Sequence, residues 1–131
     1  MFTIDQVKSA HSKVKSGGDF PAYIQELKQL GVKNYTTYVA DGHTEFTSID
    51  NKELTGAAKY DQLIIAGKTD NDIFRRQLKE HQAGGSDYPT FCGQAAATGV
   101  HKWIVDLQQM TCTYYDLAGN EMLVEQVPVP E

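Results

Sequence analysis

The sequence predicts an α+β domain made of two related ααβββ halves, with an antiparallel sheet packed against helices. Three observations carry that prediction. Apolar residues recur at helical spacing in four stretches, and each pair of stretches then gives way to β-branched and aromatic runs. Asp41-Gly42 and Gly119-Asn120 lie between such runs, at the places where hairpins turn. The phrase "DFPAYIQELKQLGV" from Asp19 is echoed by "DYPTFCGQAAATGV" from Asp87, 68 residues later.

The first helix is expected in "FTIDQVKSAHSKVKSGG". Thr3 and Gln6 have capping-box spacing, Ile4, Val7, Ala10 (or His11) and Val14 form one stripe, and Gly17-Gly18 stops the run. Asp19 caps a second helix that tolerates Pro21 in its first turn and buries Phe20, Tyr23, Ile24, Leu27 and Leu30. Gly31 stands where a helix C-terminus favours a left-handed residue. "VKNYTTYVADGHTEFTSID" then reads as a hairpin turning at Asp41-Gly42, with a further turn at Asp50-Asn51. "QLIIA", Gln62 to Ala66, reads as the third strand; "KELTGAAKY" before it is ambiguous.

The second half repeats the order. "KTDNDIFRRQLKEHQAGG" is a helix capped by Thr69 or Asp70, with Ile73, Phe74, Leu78 and also His81 as inward candidates. "SDYPTFCGQAAATG" is a shorter helix ended by Gly99. "VHKWIVDL", "TCTYYD" and "EMLVEQV" are strands, and Pro128 and Pro130 end the sheet. The expected organisation is one domain over 1–131, with internally duplicated units at 1–66 and 69–131.

The argument for duplication lies in which residue types match. At the same offset Pro21 meets Pro89 and Gly31 meets Gly99. Phe20 meets Tyr88, Tyr23 meets Phe91, Tyr35 meets Trp103 and Phe46 meets Tyr114. These are helix starts, helix ends and large apolar positions, which backbone and packing dictate. The offset also predicts environments. Cys92 meets Ile24 and should be buried. Cys112 meets Thr44, a strand position expected to be half exposed. His11, His81 and His101 meet lysines and are expected at the surface.

Composition narrows the function classes. The chain has 131 residues, 40% apolar and 22% charged, with a net charge of −5. A chain this long buries roughly two thirds of its unfolded surface, enough for a core without metals or disulfides. The acidic balance and scattered Lys and Arg disfavour nucleic acid as a partner. No signal peptide is expected, and no apolar run reaches the ~18 residues of a membrane span, so no membrane partner is expected. Cys92 and Cys112 read as reduced thiols of a cytoplasmic protein.

No motif announces catalysis. The four histidines and two cysteines lack HxxxH and CxxC spacing, so no metal and no other cofactor is expected. Asp19 and Asp87 at the helix starts would repel an anion there. Asp41, Glu45, Asp116 and Glu121 are explained by turns and solvent-facing strands. Cys112 with His43 is the one thiol–base pair worth drawing, and a packed strand cysteine is the simpler account. Tyr35, Tyr38, Trp103, Tyr114 and Tyr115 are mostly expected under the helices; Tyr114 and Tyr115 must face opposite ways, so one of them can be exposed. The binding candidates are therefore Tyr38, Asp41, His43, Cys112, Tyr114 and Tyr115.

The stretches "GVKNYTTYVADGHTEF", "FCGQAAATGVHKWIVDL" and "TCTYYDLAGNEMLVEQVPVP" resemble the YdfO-like family of small bacterial and prophage-borne proteins, some labelled phage envelope protein. The resemblance runs nearly end to end. It implies a compact α+β domain and a mobile-element origin, and brings no established activity, cofactor or catalytic residue. The leading expectation is a noncatalytic protein-interaction or prophage accessory module that binds a host or phage protein, with a homodimer as an option. The alternative is a small-ligand binder or enzyme with a site between the halves, near Tyr38, Asp41, His43 and Cys112.

Overall fold

Residues 2–13 and 19–127 are described by the computed structural model. The expected roles of Val14, Gly17-Gly18, Pro128 and Pro130 lie outside the described residues. Two helices, α1 (Ile4–His11) and α2 (Phe20–Leu30), precede the strands β1 (Val32–Tyr38), β2 (Thr44–Ser48) and β3 (Glu53–Gly56). Helices α3 (Asn71–Gln82) and α4 (Tyr88–Ala97) precede β4 (Lys102–Asp106), β5 (Thr111–Tyr115) and β6 (Glu121–Gln126).

The helix boundaries follow from local chemistry. Thr3 and Gln6 form the reciprocal capping box of α1, the Gln6 N–H donating to Thr3 Oγ1 at 3.2 Å and the Thr3 N–H to Gln6 Oε1 at 2.8 Å. Asp70 accepts from the Ile73 N–H and Asp87 from the Thr90 N–H, capping α3 and α4. Asp19 holds the matching position of α2 with helical dihedrals and no side-chain capping bond, a departure from the expected cap. Gly31 and Gly99 end α2 and α4 at φ 96° and 93°, where any other residue is strained.

The six strands form one antiparallel sheet in the order β3-β2-β1-β4-β5-β6. Its inner ladders share a register. Tyr35 pairs with Phe46, and 68 residues on Trp103 pairs with Tyr114; Thr36–Glu45 recurs as Ile104–Thr113. At the centre Thr36 faces Ile104, its own counterpart at that offset. A twofold rotation about this pair exchanges the inner ladders. The outer strands break the symmetry: β3 has four residues and β6 six, and a bulge between Tyr114 and Tyr115 shifts the β5–β6 register.

Alternation along the strands sends one set of side chains under the helices. Val32, Tyr35, Phe46, Trp103, Val105, Cys112 and Tyr114 join Ile24, Leu27, Phe74, Phe91 and Ala95 in a core that runs through both halves. The other sheet face carries no helix and is polar, with Thr36, Lys102, Ile104, Thr113 and Tyr115 half exposed.

Three sequence expectations are corrected. The third strand is Glu53–Gly56, not Gln62–Ala66. The turn at Asp50-Asn51, with Asn51 at φ 63°, returns the chain at once beside β2, so the edge is filled before "QLIIA" arrives. Residues 57–66 instead form a strap across the end of the sheet. It is held by Lys59 N–H to Asp41 O, Leu63 N–H to Ala40 O, Ala66 N–H to Ala96 O and Tyr60 Oη to Val39 O. Ile73 is 38% exposed rather than inward, because Phe74 and Leu78 already fill the buried stripe of α3. Cys112 is buried, not half exposed, and so is its counterpart Thr44: both stand in the inward row of the sheet beneath the helices.

Candidate functional site

A cavity of about 790 Å³ lies between the helix layer and the covered sheet face, where the two halves meet. Its floor is the inward row of the inner strands: Tyr35, Thr37, Thr44 and Phe46 from the first half, Trp103, Cys112 and Tyr114 from the second. Its walls come from α1, α2, the C-terminal end of α3, the start of α4, the strap at 57–59 and the end of β6. Eight lining pairs are counterparts at the 68-residue offset: Phe20 and Tyr88, Tyr23 and Phe91, Tyr35 and Trp103, Phe46 and Tyr114, Thr44 and Cys112, and on the walls Ala57 and Glu125, Ala58 and Gln126, Lys59 and Val127. The large aromatics expected to fill the core therefore also enclose a space within it.

The rings around Trp103 pack edge to face with Tyr88 and tilted with Phe91 and Tyr114, and they border that space rather than fill it. Trp103 lies 6.0 Å from Tyr114, 5.9 Å from Phe91 and 6.5 Å from Tyr88, ring centre to ring centre. Two histidines line the wall, one from each helix pair. His11 stands edge-on to Tyr23 and Tyr88, and His81 stacks flat on Phe91 at 4.4 Å, its Nδ1 against Ser86 O. Both are half-buried rather than at the surface, which corrects the reading taken from their lysine counterparts. That reading fails because counterpart positions share backbone geometry and not neighbours: Lys79 and Lys13 stay solvent-facing where the helix pairs splay.

Burial sets the protonation of the lining groups. It raises the Tyr35, Tyr88 and Tyr114 phenols well above their ordinary value and pushes the Cys112 thiol up to about 12. Burial likewise raises Cys92, which is fully enclosed as Ile24 is. Neither thiol is a thiolate at neutral pH, so neither is an activated nucleophile. Tyr35 is 4% exposed, and no described residue hydrogen-bonds its hydroxyl. The Lys59 ammonium sits 5.7 Å from the centre of the Tyr88 ring. Lys59 is exposed as a residue, and partial desolvation against the cavity wall lowers its pKa. Among the described residues no carboxylate ion-pairs with it. His11 is lowered by burial and then by Lys59.

The residues singled out in the sequence divide between two faces. Cys112 and Tyr114 line the cavity. Tyr38, Asp41, His43 and Tyr115 lie together elsewhere, at the hairpin end and on the uncovered face. The His43 ring stacks on Tyr38 at 4.5 Å and its Nδ1 meets Asp41 Oδ1 at 2.5 Å. The Lys102 ammonium lies over both Tyr38 and Tyr115. The His43 N–H and ring hold Asp41 below the usual carboxylate range. Strand alternation puts Tyr38 and Cys112 on opposite sides of the sheet, so the Cys112–His43 pair does not form. Gly42 has its own reason: at φ 75° it lets the strap close down, and a Cβ there would fall 2.7 Å from the Tyr60 ring.

Sequence reasoning missed Lys59, His11 and His81 as lining groups. The matched aromatics were the available signal for the cavity, since a ring at every inward position of two facing units is hard to close-pack. Lys59 left no signal, because its place depends on the strap. Among the described residues no cluster of three or more His, Cys, Asp or Glu side chains is disposed to hold a metal ion, and no helix is long and apolar enough to cross a membrane.

A family profile described as "Protein of unknown function (DUF1398)" matches residues 8–126. The chain is 21% identical to the uncharacterised protein YcgX of Escherichia coli (strain K12), over 95% of both chains. It is 26% identical to an uncharacterised protein of Mycobacterium tuberculosis (strain H37Rv) and to one of Mycobacterium bovis. Those matches take in 75% of this chain and 60% of the mycobacterial proteins, so it spans less than two thirds of their length.

Proposed function

We propose that this chain, which belongs to the DUF1398 family of proteins of unknown function, binds a small and largely apolar ligand in the cavity between its halves. The observation that carries the reading is the cavity itself. At about 790 Å³ it falls in the range of sites that enclose a drug-sized molecule, and its walls are aromatic with a few polar groups, as such sites are. Binding rather than turnover is the reading, because both thiols and the buried phenols are held neutral.

The test uses the single tryptophan, Trp103, on the cavity floor. Titration with N-phenyl-1-naphthylamine, a neutral dye that brightens in apolar surroundings, is expected to quench Trp103 emission saturably at one dye per chain. A linear, unsaturable response with unchanged Trp103 emission would remove the proposal.

A second reading is a protein-interaction module, including a prophage accessory role. Ile64 favours it: it is 92% exposed on the strap, beside Leu117 at 53%. Ile64→Lys should abolish a genuine partner complex and leave dye binding intact; an unaffected complex would exclude that patch. The shared strand register also supports descent of the halves from one duplicated ααβββ unit. A profile built from either half alone should then detect the other half across the family, and failure to do so would contradict duplication.

A further inference from the structure

We propose that the ligand is a hydrophobic carboxylate, held with its anionic end at Lys59 and His11 and its apolar body along Tyr23, Tyr35, Tyr88 and Trp103. This rests on the cavity being a binding site and adds the ligand's charge and direction.

Two independent observations point to an anion. First, Lys59 brings an ammonium to the cavity wall, against the face of Tyr88, with no carboxylate partner among the described residues. Glu26 is paired with Lys13 at 2.9 Å and Asp41 with His43. Second, Tyr35 lines the cavity floor and its hydroxyl makes no hydrogen bond to another described residue, which leaves a donor for an acceptor in the cavity. Lys59, His11 and the Tyr23 and Tyr35 hydroxyls offer a carboxylate one charge and several donors.

The opposite polarity is disfavoured on the same geometry. An aromatic box can hold a quaternary ammonium, but here Lys59 already occupies the face of Tyr88 and would repel one. Glu125 also lines the cavity, with an oxygen accepting from Gln82 Nε2 at 3.2 Å, and a carboxylate placed beside it would be repelled, which favours the Lys59 side for the anionic end. The counterpart of Lys59 at the 68-residue offset is Val127, so the matched wall position carries no charge; Lys8 of α1 is the other lysine on the lining.

The experiment compares three probes with one body: 4-phenylbutyrate, 4-phenylbutan-1-ol and trimethyl(3-phenylpropyl)ammonium, titrated by calorimetry against the whole chain and against Lys59→Met and Lys59→Arg. The expected result is that the carboxylate binds at least tenfold tighter than the alcohol. Lys59→Met should remove that advantage, Lys59→Arg should keep most of it, and the alcohol should bind all three proteins alike. Equal binding of carboxylate and alcohol to the unmodified chain overturns the charge assignment and leaves the cavity reading standing. Tighter binding of the ammonium overturns it in favour of a cation cage. No binding of any probe, with displacement of the neutral dye also absent, overturns both.

Discussion

After β3 the first half delivers Lys59 to the cavity wall; after β6, 68 residues on, the second half delivers Val127. Lys59 lies near enough to His11 to act on its charge, and Glu125 and Gln126 precede Val127 on the wall. The strands beneath share one register, and the rings at the floor match pair by pair. Matched positions of one backbone thus carry unlike chemistry on the two sides of the cavity. Geometry is set by helix ends, turns and inward aromatics, whereas polarity is set by a few residues on the strap and on β6 that packing leaves free to vary. A twofold scaffold with unlike ends can orient a ligand, which a truly symmetric cavity cannot do.

The strongest way to break the comparison is through the core positions it treats as equal. Ile24 and Cys92 are both fully enclosed counterparts. Ile24→Ala should cost about 2–5 kcal/mol in urea denaturation, by lost burial and a residual void. Cys92→Ala removes only a sulfur and should cost less. Similar losses at both sites would mean that the two halves do not share the core as described.

Next come the helix ends. Gly31 and Gly99 have nearly the same positive φ, but a Cβ on Gly31 meets nothing within 4 Å, whereas one on Gly99 falls 2.9 Å from Thr69 Cγ2 and 3.2 Å from Lys68 O. Gly31→Ala should therefore cost about 1–2 kcal/mol for the left-handed backbone alone. Gly99→Ala should cost clearly more. Equal thermal shifts would show that the chain entering α3 does not press on the end of α4.

A smaller effect separates the floor residues. Tyr35→Phe removes a hydroxyl on the cavity floor that makes no hydrogen bond to another described residue. It should leave the urea midpoint nearly unchanged, since no bond within the protein is lost. A drop of about 1 kcal/mol would reveal a structural partner.

The smallest effect is in pH. Burial and Lys59 hold the folded-state pKa of His11 below 6.5, so between that value and 6.5 the unfolded chain binds more protons. Stability should therefore fall as pH drops below about 6.5, and level off once folded His11 also protonates. His11→Gln should flatten that part of the profile measured by thermal melting. An unchanged slope would place the titration elsewhere.

Much of this architecture is readable from residue order because local rules dictate it. The capping box at Thr3, the glycines at 31 and 99 and the Asp41-Gly42 turn each specify a backbone event within a few residues. "QLIIA" has the composition of the third strand and the wrong distance: the tight turn through Asp50-Asn51, closed by the Asn51 N–H to Ser48 O, claims the sheet edge first. Of the six binding candidates readable in the sequence, Cys112 and Tyr114 line the cavity, and Tyr38, Asp41, His43 and Tyr115 lie at the hairpin end and on the uncovered face. Lys59 and the inward turn of His11 and His81 depend on how the strap and helix pairs meet across the sheet, and no local pattern encodes that.

The central claim is that one cavity, lined by both halves, is where a ligand goes. The most direct test is amide chemical-shift mapping on the isotope-labelled chain during titration with 4-phenylbutyrate. The account predicts shifts that cluster at Tyr23, Tyr35 and Lys59 together with Tyr88, Phe91 and Trp103, drawn from both halves on the helix-covered face. Shifts confined to Tyr38, Lys102 and Tyr115 on the uncovered face, or to Ile64 and Leu117 at the strap, would contradict it.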